Sequence, residues 1–297
     1  MKESILKIIV LGKDGQLARA LTELSRASSH EFLFISSQQL DLSQPEKIKD
    51  HMQNIKFDLL INAAAYTHVD NAEKEQQRAL SINGIAIKVL AEVCHSRNAK
   101  MIHISSDYVY GGQDAHHLRE DSLTQPNNYY GLTKLEGEKH ILAAEIRHLI
   151  LRTSWVYSPW GTNFVKTMLR LGSEREVLKV VSDQVGSPTY APDLAQAILK
   201  LVEVWDAKSQ DGVYNLAGTS ICSWFDFSEQ IFKSAKNHGF EIKVKELIPI
   251  RTDEYVTLAK RPLNSRLNQK KIKEIFGIEM PLWKDSLEQC LKRISEQ

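Results

Sequence analysis

The sequence predicts an α/β fold: a Rossmann-like, doubly wound parallel sheet with a smaller C-terminal α/β lobe. Short aliphatic runs, which are typical of buried strands, alternate with helical patterns through the first half of the chain. A glycine-rich turn directly follows the first of these runs. After Thr153, shorter elements separated by glycines and prolines replace the regular alternation, which indicates a second lobe.

The alternation predicts individual elements in chain order. A nearly unbroken β-branched and aliphatic run at 5–11, interrupted by Lys7, has the pattern of a strand buried on both faces. Further strands are predicted at 32–35, 59–61, 101–105, 149–152 and 213–216. Helices are predicted at 45–53, 72–95, 129–145, 191–204, 224–235 and 283–294. Strands alternating with helices in this way form right-handed crossovers over a parallel sheet.

Composition excludes several classes of function. Of the 297 residues, 42% are hydrophobic and 25% charged, which argues against disorder. The formal net charge of +1 offers no basic excess, so we expect no nucleic-acid partner. The apolar run near the start is too short for a signal peptide or a membrane span. We therefore expect no membrane association and a cytoplasmic location.

The cysteines and histidines give no indication of a metal site or a disulfide. Cys94, Cys222 and Cys290 lie far apart and form no CxxC pair, so we expect reduced and buried thiols. The adjacent His116 and His117 lack the spacing that places two ligands on one helical face. No metal is predicted.

The glycine turn has the features of a dinucleotide-binding motif. Gly12, Gly15 and Ala18 form a GxxGxxA pattern between the first strand and a helix. The first glycine allows the tight turn, the second lets backbone N–H groups approach a pyrophosphate, and the alanine permits close packing of helix on strand. Residues 1–152 are therefore predicted to form an NAD(P)-binding domain, rejoined by parts of 190–217, with 153–297 mainly a substrate-binding lobe.

The choice between NADPH and NADH stays open in the sequence. The second strand ends in Ser36, Ser37 and Gln38, which include neither a carboxylate for a ribose 2′-hydroxyl nor an arginine for a 2′-phosphate. The nearest carboxylate, Asp41, is expected on the adenine side. The predicted cofactor is NADPH or NADH.

Tyr130 and Lys134 are the candidate catalytic pair. They stand four residues apart at the start of a predicted helix and so share one face. A lysine cation near a phenol stabilises the phenolate, so the pair predicts a tyrosine with a lowered pKa that transfers protons. Tyr129 has the uncharged Thr133 at the same spacing.

Ser106 follows the predicted strand 101–105, at the sheet edge where open α/β sheets bind ligands. A hydroxyl there can donate a hydrogen bond to a carbonyl oxygen. The glycine turn, this serine and the Tyr-x-x-x-Lys pair rarely occur together in this order by accident, and they supply the parts needed to transfer a hydride and a proton.

These residues resemble the extended short-chain dehydrogenase/reductase family, and within it the branch of dTDP-4-dehydrorhamnose reductases. The resemblance covers nearly the whole chain, and the segments of the second lobe are the most specific. The resembling segments are GKDGQLA (12–18), NAAAYTHVDNAE (62–73), ISSDYVYGG (104–112), YGLTKLEGE (130–138), LRTSWVYS (151–158), NFVKTMLRL (163–171), DQVGSPT (183–189) and RPLNSRL (261–267).

The resemblance implies an oxidoreductase reaction. NADPH or NADH would reduce the C4 ketone of dTDP-4-dehydro-L-rhamnose to dTDP-L-rhamnose, the last step of dTDP-rhamnose biosynthesis. The product is a donor for cell-surface polymers such as the O-antigen of lipopolysaccharide. The implied partner is thus a small-molecule nucleotide sugar, and the implied oligomeric state is a monomer or homodimer.

The resemblance also implies residue roles. Tyr130 would protonate the developing alkoxide, Lys134 would bind the nicotinamide ribose and tune Tyr130, and Ser106 would polarise the ketone. The implied cofactor-binding residues are Gly12, Gly15, Gln16, Leu17, Asp41, Leu42, Ala64, Ala65, Tyr66, Thr67, Tyr130 and Lys134. The implied substrate-binding residues are Ser106, Asp107, Tyr130, Trp155 and Arg261.

The chain departs from the family pattern at three positions. Ser106 stands where related reductases more often have threonine, which keeps the hydroxyl. Ala20 and Pro192 stand where some members have acidic residues that bind magnesium at a dimer interface, so no metal is implied. Two alternatives stay open: another nucleotide-sugar epimerase or dehydratase on this fold, and a non-catalytic cofactor-binding regulatory subunit.

Overall fold

A parallel sheet forms the centre of the molecule. The computed structural model describes residues 5–112 and 116–297. Within those residues the sheet has six strands: β1 (Lys7–Leu11), β2 (Glu31–Ile35), β3 (Leu59–Asn62), β4 (Lys100–Ser106), β5 (His148–Thr153) and β10 (Gly212–Asn215). The strand order is β10-β5-β4-β3-β1-β2, and every neighbouring pair is parallel. This order confirms the predicted doubly wound sheet, with its switch point between β1 and β3.

Helices cover both faces of the sheet. The helices, in chain order, are α1 (Gln16–Leu24), α2 (Ile48–Met52), α3 (Val69–Ala72), α4 (Gln76–Leu80), α5 (Ala86–Ser96), α6 (Tyr129–Leu142), α7 (Phe164–Glu174), α8 (Ala191–Lys208), α9 (Trp224–Asn237), α10 (Lys270–Phe276) and α11 (Trp283–Ser295). Ile8 and Val10 pack with α1, α8 and α10, whereas Ile9 and Leu11 pack with α2, α5 and α6. Because both faces are buried, the β1 sequence is a continuous apolar run rather than an alternating one.

The predicted helix at 72–95 is wrong as a single element. The structure divides this stretch into α3, α4, a π-helical turn at Ser81–Ile85, and α5. At the π turn, the Asn83 side chain bonds both the backbone N (2.9 Å) and the backbone O (3.1 Å) of Tyr66. Its amide also donates to the Thr133 hydroxyl at 3.1 Å. The helix widens into a π turn where it connects the loop after β3 to α6, and the break in the predicted helix lies earlier, at 73–75.

The other predicted elements are present with shifted ends. β1 begins at Lys7 rather than at residue 5, and α6 ends at Leu142 rather than at 145. α8 continues four residues past its predicted end, to Lys208. Cys94, Cys222 and Cys290 are buried and unpaired, as expected.

The second lobe has its own small sheets and core. Its strands are β6 (Val156–Tyr157), β7 (Val177–Val181), β8 (Val185–Gly186), β9 (Thr189–Tyr190), β11 (Cys222–Ser223), β12 (Glu246–Ile250) and β13 (Asn264–Ser265). They pair as β11-β8-β13, β12-β7 and β6-β9, around an aromatic core that includes Phe227 and Trp283.

Residues after 190 contribute to the main sheet as well. α8 packs on α1, and β10 pairs with β5. The division into 1–152 and 153–297 stays a prediction. Among the described helices, none combines the length and hydropathy that crossing a membrane requires.

Candidate active site

The glycine turn after β1 lies against the loop after β3. Gly12 has a φ of +88°, and a Cβ built on it would lie 2.9 Å from the Cα of Ala64. Gly15 occupies the N-cap of α1, so the free N–H groups of the first helical turn face the same space. The tight turn and helix start that the motif predicts are present, and phosphate binding at this turn stays a prediction.

Replacing Gly12 by alanine is expected to lower the free energy of unfolding by roughly 3 kcal/mol, because left-handed strain adds to a backbone clash. Gly239→Ala is the matched control. Gly239 has a φ of +79°, and an alanine Cβ at this position would have no described atom within 4 Å. The control should lose only about 1 kcal/mol. Urea unfolding of both variants measures the difference, and equal losses would refute the proposed close approach.

Gln16 is held by the second lobe. Its Oε1 accepts hydrogen bonds from the Ser158 hydroxyl (2.7 Å) and from Asn163 Nδ2 (2.9 Å). Its side chain therefore ties the start of α1 to residues of the other lobe. Because the side chain of Gln16 is occupied by these bonds, we expect its backbone N–H to be the group that binds a phosphate.

A cavity of about 680 Å³ opens between the turn and the second lobe. Its walls bring together most of the predicted site. The predicted residues that line it are Gly12, Gly15, Gln16, Leu17, Ala64, Ala65, Thr67, Ser106, Asp107, Tyr130, Lys134 and Trp155. A cavity of this size accommodates a ligand on the scale of a dinucleotide or nucleotide sugar.

Four predicted residues lie outside the walls formed by the described chain. Asp41 is exposed and bonds Ser43 and Gln44, while Leu42 is buried in the core. Tyr66 is buried, with its backbone held by Asn83. Arg261 donates to the Tyr108 hydroxyl at 3.1 Å and forms an ion pair with Asp70. Asp70 was missed at the sequence level because this contact spans the two lobes.

Ser106 and Tyr130 meet at the end of β4. Ser106 is the last residue of that strand, and its hydroxyl lies close enough to the Tyr130 phenol to lower the pKa of that phenol. Tyr130 is the second residue of α6. Asn128 caps the helix, because its side-chain oxygen accepts a hydrogen bond from Gly131 N at 2.8 Å. The cap sets the start of the helix, and therefore which tyrosine faces the serine.

The expected lowering of the Tyr130 pKa is wrong for this structure. Burial raises the pKa of Tyr130, opposed by the hydrogen bond from Ser106, and Asp107 raises it further. Lys134 is itself buried, and burial lowers its pKa to about 8 while Glu138 raises it. The Lys134 ammonium donates to the Ile104 carbonyl oxygen at 2.6 Å. Desolvation of both groups thus outweighs the attraction that the spacing suggested.

A buried polar seam joins α6 to β4 and was missed by sequence reasoning. Lys134 Nζ lies 3.4 Å from His103 Nε2, and Glu138 bonds the Ser105 hydroxyl. Residues four apart on a helix rise about 6 Å, which matches the roughly 6.6 Å between alternate residues of a strand. Arg152 of β5 completes the seam with hydrogen bonds of 3.0 and 2.6 Å to the Glu138 carboxylate.

Trp155 forms the second-lobe wall of the cavity. Its ring stacks on Trp224 with centroids 3.6 Å apart, and its backbone φ is +50°. A Cβ on Gly186 would lie 3.0 Å from Trp155 Cε2 and 2.9 Å from the Ser265 Cβ. The glycine of DQVGSPT therefore permits Trp155 and β13 to approach each other.

The glycine turn and the Ser106, Tyr130 and Lys134 side chains share one cavity on a doubly wound sheet. The chain therefore falls within the class of extended short-chain dehydrogenases and reductases. A family model described as the RmlD substrate binding domain matches residues 6–296. The dTDP-4-dehydrorhamnose reductase of Aggregatibacter actinomycetemcomitans is 38% identical over 288 residues, covering 95% of this chain and 97% of its own. The dTDP-4-dehydrorhamnose reductase of Escherichia coli K12 is 37% identical, and the match covers 97% of this chain and 98% of that protein.

Solved structures agree with these relatives. A dTDP-4-dehydrorhamnose reductase from Clostridium acetobutylicum superposes with a TM-score of 0.90 at 35% identity, covering 97% of this chain and 99% of its own. A dTDP-4-dehydrorhamnose reductase from Bacillus anthracis, in complex with NADP, has the same TM-score and identity. The match covers 98% of this chain and 100% of that one. The chain belongs to the dTDP-4-dehydrorhamnose reductase family.

Proposed function

We propose that this protein reduces the C4 ketone of dTDP-4-dehydro-L-rhamnose to dTDP-L-rhamnose with NADPH or NADH. The observation that carries the proposal is that Ser106, Tyr130 and Lys134 line the same cavity as the glycine turn. Relatives named for this reaction match the chain over nearly its whole length.

The cavity fits a dinucleotide cofactor at the glycine turn. Gly12 leaves open the volume that a Cβ would fill beside Ala64, and the first turn of α1 offers N–H donors for a pyrophosphate. NADPH or NADH, when bound, supplies the hydride. The Bacillus anthracis relative was crystallised with NADP. Ser37 also lines the cavity, beyond the end of β2, in the region where a 2′-hydroxyl or 2′-phosphate is read.

The side chains around the ketone have separate tasks. Tyr130 delivers a proton to the C4 oxygen, and Ser106 donates a hydrogen bond to the same oxygen. Lys134 holds the nicotinamide ribose, and Trp155 with Asp107 borders the sugar. Arg261 reaches the nucleotide diphosphate when it leaves Asp70, since a guanidinium binds a phosphate with parallel hydrogen bonds.

The test is reduction of the enzymatically generated substrate. The dTDP-4-keto sugar is made from dTDP-glucose by the preceding dehydratase and epimerase, and the loss of reduced-nicotinamide absorbance is followed with NADPH and with NADH. We expect oxidation of at least one cofactor and formation of dTDP-L-rhamnose, identified by mass spectrometry and NMR. A mixture without the epimerase is the control. Failure with both cofactors would refute the proposal.

The setting of the reaction follows from its reagents. A reaction that consumes NAD(P)H and a nucleotide sugar belongs in the cytoplasm, where both are made. Its product would serve a cell-surface polysaccharide, such as the O-antigen of lipopolysaccharide. A monomer or a homodimer stays the predicted oligomeric state.

A further inference from the structure

Ser265 of the second lobe makes a direct contact with the residue that follows the catalytic serine. Its hydroxyl donates to Oδ2 of Asp107, from a position 158 residues away in the chain. Both side chains are only 2% exposed. A buried hydroxyl therefore crosses from β13 to the end of β4, where the ketone is expected to bind.

The proton of Ser106 is committed to Asp107 when that carboxyl is ionised. Ser106 Oγ donates to Asp107 Oδ1 at 3.0 Å and accepts from Tyr108 N at 3.2 Å. A hydroxyl has one proton and two lone pairs, and a carboxylate only accepts. The Ser106 proton must then point at Asp107, while Tyr108 N–H uses one of the lone pairs. In this state Ser106 has no proton for a ketone.

We propose that Ser265, acting through Asp107, sets the direction of the Ser106 proton and so positions it for the ketone oxygen. Because Ser265 donates to Oδ2, that oxygen stays an acceptor, and a proton on Asp107 resides on Oδ1. Neutral Asp107 then donates to Ser106, whose own proton turns toward the substrate. The proposal rests on the proposed reductase function, and the Asp107 proton is not consumed.

Both protonation states of Asp107 are accessible near neutral pH. Burial raises the pKa of Asp107 to about 6, while hydrogen bonds from Ser265, from Ser106 and from backbone N–H groups lower it. The titratable groups facing it are Tyr108, in the 3-10 helix after β4, and Tyr130 in α6, and Asp107 raises the pKa of each. Arg261 acts on Tyr108, whose hydroxyl it contacts.

The position of Ser265 is determined by the substrate wall. β13 pairs in parallel with β8, which places Ser265 opposite Gly186. The Gly186 backbone lies between Ser265 and Trp155, with no room for a side chain. A movement of this wall would move Ser265 relative to Asp107. Ser265 is thus a positioning residue that links the second lobe to Ser106.

Ser265→Ala tests the link, with Ser265→Thr as the matched variant that keeps the hydroxyl. Loss of the donor should raise the pKa of Asp107, because this hydrogen bond lowers it. Carbon-13 NMR of protein labelled at aspartate measures the Asp107 titration directly, with the resonance assigned by its loss in Asp107→Asn. The threonine variant should titrate like wild type. This measurement needs no substrate.

Kinetics supply the second readout. Neutral Asp107 is the competent form, so the wild-type rate should decline as pH rises through the Asp107 pKa. At low pH, where Asp107 is neutral in both proteins, kcat of Ser265→Ala should fall about tenfold, as for the loss of one neutral hydrogen bond, because the Asp107 proton is then free to reside on Oδ2. The decline of the rate should move to higher pH. The KM for the reduced cofactor should not change, and Ser265→Thr should restore both properties.

The outcomes separate this inference from the proposed function. An Asp107 titration unchanged in Ser265→Ala overturns the inference, whatever the wild-type activity. A lower kcat with an unmoved pH profile, which a merely structural role would produce, also overturns it. If the titration moves but the wild type reduces no keto sugar, the proposed function fails and the Ser265–Asp107–Ser106 link is supported.

Discussion

Tyr130→Phe is expected to lose turnover by roughly 100- to 10,000-fold, the usual contribution of a positioned proton donor. The phenol is buried against Ser106, so water cannot replace its proton readily at the ketone oxygen. The KM for the cofactor should change little, since the ring is kept. The measurement is the steady-state oxidation of reduced nicotinamide with the dTDP-keto sugar.

Tyr129→Phe is the matched control for this prediction. Tyr129 precedes Tyr130 in α6 and is more exposed, and its backbone N–H bonds Glu73 at 2.7 Å. We expect near wild-type turnover. Equal loss of turnover in both variants would mean that a disturbed start of α6, rather than the missing Tyr130 hydroxyl, lowers the activity. Full activity in Tyr130→Phe would exclude this residue as the proton donor.

Glu138→Leu is expected to lower the free energy of unfolding by about 3–5 kcal/mol, because it leaves the Arg152 guanidinium buried without its counter-charge. Glu138 is 1% exposed and the Arg152 side chain 5%. The guanidinium also lies 4.7 Å from the Tyr110 ring centroid, so it has little freedom to reach water. Activity should fall as well, since Glu138 lies one turn from Lys134 in α6. Urea unfolding measures the loss.

Two controls define what this loss means. Glu174→Leu removes a carboxylate from an exposed ion pair with Arg170, at 3.1 Å, and should cost less than about 1 kcal/mol. The double variant Glu138→Leu with Arg152→Met removes both buried charges and should recover much of the stability. A loss below about 1 kcal/mol for Glu138→Leu alone would show that the seam does not hold α6 against β4.

Sequence reasoning succeeded where a short segment contains all the information. The apolar run of β1 and the GxxGxxA pattern predicted a strand, a tight turn and a helix, because periodicity and glycine chemistry act within a few residues. The Tyr130 and Lys134 spacing placed both residues on one helix face for the same reason. Ser106 was correctly placed at the carboxyl edge of the sheet.

It failed where distant segments decide the outcome. The helix predicted over 72–95 is broken at 73–75 and contains a π turn at Asn83, whose side chain bonds Tyr66 and Thr133, neither of which is in that helix. The Tyr130 pKa is raised rather than lowered because burial depends on everything packed around the ring. Local patterns do not report desolvation.

The doubly wound sheet, the glycine turn and the places of Ser106, Tyr130 and Lys134 could thus be predicted from the sequence alone. Only the tertiary structure decided which groups surround that set. It paired Arg261 with Asp70, inserted Glu138 between Ser105 and Arg152, and brought Ser265 to Asp107. The physical reason is range: turn and helix chemistry act between neighbours in the chain, whereas buried hydrogen bonds and charges depend on the packing of elements that the chain keeps far apart.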